Sequence, residues 1–296
     1  MTIRPAKQED LTVIEGLATN FECVQWGGLP HLDSQLLAEQ WRRPELTPSF
    51  VQVAETASGL RGYSDVYQIS PNLARFRGIA TNLEVAASLI DTTDHKAVGQ
   101  GIPLQTSLSS REEGRTLFPR FIDHPLYSLF SRRGYGRISI TRVMRLSSYS
   151  DTRQLTIPSS YQVVDFDESL LPSLMAMYYA AWPTDYYHGE DRSEIAAIFR
   201  QSHVDDLRLA ISDVGDVVGY VLTSRTTELG VIDEVAVHPT ERRKGLGRVL
   251  TDLAIRSLGD RTITLVVMDE NPARYLYEDL GFVVWEERLD LRFTGG

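Results

Sequence analysis

Arg242, Arg243, Lys244 and Arg248 cluster around Gly245-Leu246-Gly247, directly after the apolar, β-branched run 231–237 and the punctuation His238-Pro239. A helical pattern resumes from Gly247, so the local order reads strand, loop, helix. Glycine lets backbone approach a ligand closely, and the first turn of a helix leaves amide N–H groups without intrahelical partners. Those amides, the positive end of the helix dipole and four cationic side chains together suit a phosphate or pyrophosphate. The spacing does not fit a P-loop, which needs Gly-x-x-x-x-Gly-Lys-Ser/Thr, nor a dinucleotide fingerprint, which needs a third glycine.

Arg242-x-x-Gly245-x-Gly247 resembles the acetyl-CoA loop of the GNAT acyltransferases, which follows a strand and opens a helix. Downstream, Asn271-Pro-Ala-Arg-Tyr-Leu-Tyr277-Glu-Asp-Leu-Gly281-Phe282 resembles the same family's asparagine, short helix, tyrosine and closing Gly-Phe. The resemblance covers roughly residues 160–293. It implies an α+β fold built on a mixed, mostly antiparallel sheet, whose fourth and fifth strands splay to admit a pantetheine arm. It further implies acetyl-CoA as acyl donor, no metal, and direct attack on the thioester by a primary amine. Backbone groups of Val235, Ala236 and Val237 would pair with the pantetheine, with the Val235 N–H facing the thioester oxygen. The segment Arg242, Arg243, Lys244, Gly245, Leu246, Gly247 and Arg248 would hold the pyrophosphate. Asn271 would bond the pantetheine or simply cap its helix, and Tyr277 would protonate the leaving thiolate. Asp233 and Glu234 are the candidates for the base, acting through water; adjacent strand residues face opposite sides, so at most one faces the acceptor. Deprotonation by water alone stays open. Tyr186, Tyr187 and His188 lie where the family's acceptor-binding segment is expected.

The elements that must position these groups parse in order. A strand at 162–165 precedes a helix at 168–181, a second helix spans 193–201, and strands at 207–212 and 217–224 form a hairpin around Asp213-Val-Gly-Asp216. After the strand at 231–237 come the cradle helix 247–257, a buried strand 262–268, a short helix 271–280, and two strand-like runs within 282–293. Residues 1–150 read as a worn copy of this order. His124-Pro-Leu-Tyr-Ser-Leu-Phe130-Ser-Arg-Arg-Gly134-Tyr135 aligns without a gap on Asn271 to Phe282, with Pro125, Leu129 and Gly134 on Pro272, Leu276 and Gly281. At the position of Tyr277 this copy carries Phe130, which has no proton to give. The strand-like run 73–80 passes straight into a helical pattern at 82–90, with no basic glycine loop between. Two tandem GNAT-like domains are expected, 1–150, degenerate and non-catalytic, and 151–296, catalytic, joined by the Ser/Thr-rich stretch 146–158, with an unrelated α+β domain as the alternative for 1–150.

The chain of 296 residues carries a formal charge of −10, with +1 on residues 1–150 and −11 on 151–296. An acidic motif-bearing half argues against nucleic acid as a partner, whose binding rests on neutralised phosphates, and favours a cationic small-molecule amine. No apolar run spans a membrane and the first residues lack the core of a signal peptide, so a cytoplasmic protein with no membrane partner is expected. The single cysteine, Cys23, reads as a small buried hydrophobe. A non-catalytic module that binds acetyl-CoA or an amine, and a peptide N-terminal acetyltransferase, are the alternatives to a small-molecule enzyme. Whether the chain forms a homodimer is open.

Overall fold

The computed structural model describes residues 1–18, 23–27, 38, 41–42, 48–70, 73–112, 115–116, 120–147, 156–182, 192–201 and 207–293. Two compact units emerge: Met1–Thr141 with Glu286–Gly296, and Arg142–Trp285. Among the described residues no helix is long and apolar enough to cross a membrane.

The first unit runs β1 (Thr2–Pro5), α1 (Leu11–Ala18), β2 (Val24–Trp26), β3 (Gln52–Thr56), β4 (Gly59–Ser70), β5 (Leu73–Ala80), α2 (Leu83–Gln100), β6 (Leu104–Glu112), β7 (Arg115–Thr116), α3 (Tyr127–Arg132) and β8 (Tyr135–Leu146). The last residues of β8 belong to the second unit. Strands pair in the order β1-β3-β4-β5-β6, antiparallel except for the parallel pair β5 and β6. Helix α2 starts where the Asn82 side chain accepts the Val85 N–H at 3.0 Å, and ends at Gly101 with φ +66°. It runs well past the apolar pattern at 82–90. Its last turns are largely polar and exposed, apart from the buried Thr93 and Ala97. One core joins α2 to the sheet through Leu89, Ile90, Phe76, Leu104 and Leu108, and Phe130 lies fully inside it against Phe76 and Tyr135. A smaller core under α1 gathers Leu11, Ile14, Val53 and Ile79, with Cys23 half-buried at its margin.

The second unit runs β9 (Tyr161–Asp165), α4 (Leu171–Ala181), α5 (Arg192–Gln201), β10 (Leu207–Ser212), β11 (Val217–Arg225), β12 (Leu229–Val237), α6 (Leu246–Leu258), β13 (Thr262–Met268) and α7 (Ala273–Asp279). Its sheet repeats the first: β9-β10-β11-β12-β13, antiparallel except for the parallel pair β12 and β13. Helix α6 buries Leu246, Val249, Leu250, Ala254, Ile255 and Leu258 at helical spacing against Val221, Ile232, Ile263 and Leu265. Each buried Leu, Ile or Val side chain among them contributes roughly 1.5–3 kcal/mol. A separate core joins α4 and α5 to Leu207, Leu209, Tyr220 and Ala236.

The two halves also match at their ends. Helices α3 and α7 each close on a left-handed glycine, Gly134 at φ +85° and Gly281 at φ +94°, as the aligned motifs require. In place of two runs within 282–293, the chain ends in one strand, β14 (Val283–Phe293). Its residues from Glu287 to Arg292 pair antiparallel with β6, which carries the stretch from Glu286 onward into the first unit although sequence order assigns it to residues 151–296.

Candidate active site

The feature that sorts the two acidic candidates is a break in the β11–β12 register. Leu222 pairs with Glu234 and Thr223 with Ile232, so Asp233 is the extra residue of a bulge. The extra residue switches faces. Ile232 packs into the α6 core, whereas Ala236, two residues beyond Glu234, packs into the α4–α5 core. Glu234 is half-buried on that second face, and the Tyr220 hydroxyl donates to its carboxylate. The Trp182 Nε1–H donates in turn to the Tyr220 oxygen at 3.2 Å. Burial, and then the Glu234 carboxylate, push the Tyr220 phenol well above its ordinary range, so it stays protonated and keeps donating. Asp233 is exposed on the bulge. Tyr220 and Trp182 escaped the sequence reading. The parity of Tyr220 opposite Ala236 was available in principle, but only with the register known.

Beyond the bulge, β12 parts from β13. The parallel pairing runs from Leu229↔Thr262 to Ile232↔Leu265 and stops. The His238 N–H donates to Val218 O at 2.9 Å on β11, so strand alternation turns the peptide groups of Val237 and Val235 toward the β13 side. Val235 and Val237 are half-buried against the α6 core, and Ala236 is buried on the other face. This leaves a gap between parallel strands whose β12 edge offers backbone groups.

At the end of β12 the chain makes a short turn, Pro239–Glu241, that the His238 ring caps. Arg242 is extended, and Arg243 and Gly245 are left-handed, at φ +66° and +87°. A Cβ built at Gly245 would meet nothing within 4 Å, so the glycine is there for its backbone angle; any other residue costs about 1–2 kcal/mol in that conformation. Helix α6 then begins without a side-chain cap, and its first intrahelical bond is Val249 N–H to Gly245 O at 3.2 Å. The amides of Leu246, Gly247 and Arg248 are therefore those a helix leaves for an anion.

The four cations do not act as one cluster. Arg242 donates to Val237 O at 3.1 Å and Ala181 O at 3.0 Å, tying the end of β12 to the end of α4. Lys244 pairs with Glu241 at 2.9 Å and Arg248 with Asp279. Arg243 points from an exposed position on the loop. The Tyr161 hydroxyl, and then Lys244, hold the Glu241 carboxyl below its usual range.

Tyr277 is buried between α7 and the α6 core, its ring edge-on to Phe282 at 6.1 Å. Burial pushes its phenol up to about 12. Asn271, one residue before the N-cap Pro272 of α7, accepts the Ala273 N–H at 3.0 Å. Gly247 sits where α6, α7 and β12 converge: a Cβ there would lie 3.8 Å from Leu276 and 3.9 Å from Val237. Tyr186, Tyr187 and His188 lie outside the described residues. Among the described residues no cluster of three or more His, Cys, Asp or Glu could hold a metal ion. A cavity of about 710 Å³ opens on the far side of the loop, lined by Tyr161, Ser173, Met177, Asp213, His238 and Lys244. Its lining includes neither Glu234 nor Tyr277.

Residues 171–282 match the family model described as acetyltransferase (GNAT) family. No curated protein matches the sequence. Among solved structures, a GCN5-related N-acetyltransferase from Sphaerobacter thermophilus is similar at TM-score 0.75 and 16% identity, over 98% of this chain and 94% of that one. A tandem GNAT protein from the clavulanic acid biosynthesis pathway is similar at TM-score 0.64 and 15% identity, over 98% and 97%. A GCN5-related glucosamine N-acetyltransferase region of a fungal GH3 β-N-acetylglucosaminidase gives TM-score 0.68 and 15% identity, over 98% of this chain and 38% of that one. These structures share the fold, and the tandem arrangement is among them. Residues 171–282 thus match the GNAT acetyltransferase family, and the chain shares the fold of solved GNAT structures, a tandem GNAT protein among them.

Proposed function

We propose that the second unit transfers an acetyl group from acetyl-CoA to the primary amine of a small molecule, by direct attack. The observation that carries this reading is the gap between β12 and β13, which has a half-buried carboxylate at its root and an uncapped helix at its mouth. The pantetheine arm would lie along the β12 edge as an added strand, bonded by Val235 and Val237. The pyrophosphate would sit on the first-turn amides of α6, with Arg243 beside it. Glu234, held by Tyr220, would take the amine proton through water, and the amine nitrogen would attack the thioester carbonyl. The Val235 N–H would stabilise the oxyanion as the tetrahedral intermediate forms.

The Tyr277 phenol, held at about 12, is protonated throughout the working pH range. Full transfer of its proton to a thiolate of ordinary pKa near 8.5 is uphill by roughly 5 kcal/mol. Its role is therefore to donate a hydrogen bond to the sulfur as the C–S bond breaks, with the proton moving only as charge builds there. The surplus of acidic residues in this half favours a cationic acceptor.

The direct test is a thiol-release assay with acetyl-CoA and a panel of amines, on the full chain and on Glu234→Gln. Turnover with at least one amine, reduced about 10²–10⁴-fold in the variant, is expected. Acetyl-CoA binding with no turnover on any amine would indicate a binding module instead.

A further inference from the structure

In the first unit the corresponding gap is already filled. Strands β5 and β6 pair in parallel only at Ala74↔Leu104 and Arg75↔Gln105. Beyond that point the free edge of β5 is taken by β2, antiparallel, with Val24↔Ala80, Gln25↔Ile79 and Trp26↔Gly78. On the other side of β2, the Gly27 N–H donates to Ser107 O on β6 at 2.8 Å. The four residues 24–27 thus lie between two diverging parallel strands and bond to both.

The fit is cut into the sequence on each side. Trp26 is 1% exposed and meets Phe76 edge-on at 5.8 Å. A Cβ at Gly78 would lie 2.0 Å from the Trp26 ring, so no residue but glycine coexists with that indole. Gly27 has φ +78°, and a Cβ there would lie 2.4 Å from Phe76 O. The helix after the gap is satisfied internally as well. Asn82 caps α2 through the Val85 N–H and Glu84 places a carboxylate in its first turn, whereas Gly245 leaves α6 uncapped and its first turn holds no acid.

We propose that β2 is a built-in occupant of the first unit's cleft, holding the place of a ligand strand, so that this unit is complete without coenzyme and closed to it. The comparison with the second unit rests on the acetyl-CoA reading of its gap; the occupancy of the first does not.

Hydrogen exchange on the full chain, with and without acetyl-CoA, tests it. In the free chain the amides of residues 24–27 should exchange on the order of a thousandfold more slowly than an unstructured segment. Added acetyl-CoA should slow exchange in β12 and α6 and leave β2, β5 and the start of α2 unchanged. Rapid exchange of residues 24–27 in the free chain, or loss of their protection on adding acetyl-CoA, would overturn the proposal. So would new protection at the start of α2. Gly78→Ala, whose methyl collides with Trp26, should raise β2 exchange toward the unstructured rate, and unchanged protection in that variant would likewise count against it. Should acetyl-CoA protect nothing anywhere, the acyl-transfer reading fails, while the free-chain rates of residues 24–27 still decide whether the cleft is filled.

Discussion

On the proposed reading, Tyr277 and Glu234 divide the labour of acyl transfer, and substitution of each should leave a trace different from that of the neighbouring Asp233. On that reading, Tyr277→Phe removes the proposed donor to the departing sulfur and nothing proposed to recognise the coenzyme. Its expected effect is a fall in kcat of about 10²–10³ with acetyl-CoA affinity within a few-fold of wild type, read by steady-state kinetics beside a binding titration. An equal loss in both would remove the acid role from Tyr277. Glu234→Gln should lower kcat/KM and abolish the acidic limb of its pH profile. Asp233→Asn, altering only an exposed bulge carboxylate, should leave that limb in place. The choice between these neighbours could not come from strand alternation alone. An unbulged strand predicts that at most one of them faces the acceptor without saying which, and the bulge that sets Glu234 on the face of Tyr220 is a matter of pairing with β11.

At the scale of elements, the sequence reading succeeded where local chemistry determines the outcome. The hairpin turn at Asp213-Val-Gly-Asp216 closes with Gly215 at φ +91°, and β13 spans the residues expected of a continuous β-branched run. The short helices ending at Gly134 and Gly281 were readable because a left-handed closing residue demands glycine. What stayed hidden depends on residues far apart in the chain. Nothing in Val24-Gln25-Trp26 announces a strand until Gly78 and Ser107 are beside it, and β14 pairs with β6 across more than half the chain. The four cations around Gly245 were legible as a group, but not that Arg242, Lys244 and Arg248 each have a partner within the chain.

One element-level consequence concerns β4 and β5. Arg77 Nη2 meets Asp65 at 2.6 Å, with both side chains buried, and the same carboxylate accepts the Tyr63 hydroxyl at 2.6 Å. Asp65→Ala would leave a guanidinium buried without its counter-charge, at a cost of about 3–5 kcal/mol. Denaturant unfolding should show that loss, while Asp65→Ala together with Arg77→Met should recover much of it.

Over the whole molecule, the half-buried Asp94 and the buried His124 of the first unit give its stability a pH dependence. Burial raises Asp94 to about 6, offset in part by the bond from the Tyr135 hydroxyl, and lowers His124 to about 4. The Asp94 contribution is present below its unfolded value and lost as pH rises through about 6. The His124 contribution is present above its unfolded value of 6.5 and lost as pH falls through about 4. Asp94→Asn, which still accepts from Tyr135, should therefore stabilise the protein at pH 7.5 by about 3 kcal/mol and change little at pH 4. Urea titrations at the two pH values would read the difference; a gain of equal size at both would contradict the assignment.

The division of roles between the units reduces to a count. Calorimetric titration of the full chain with acetyl-CoA, repeated on Gly245→Asp, measures it most directly. One site per chain, abolished when an acidic side chain replaces the left-handed glycine at the mouth of α6, is the expected result. No binding to the wild-type chain, or a site that survives Gly245→Asp unchanged, would contradict it.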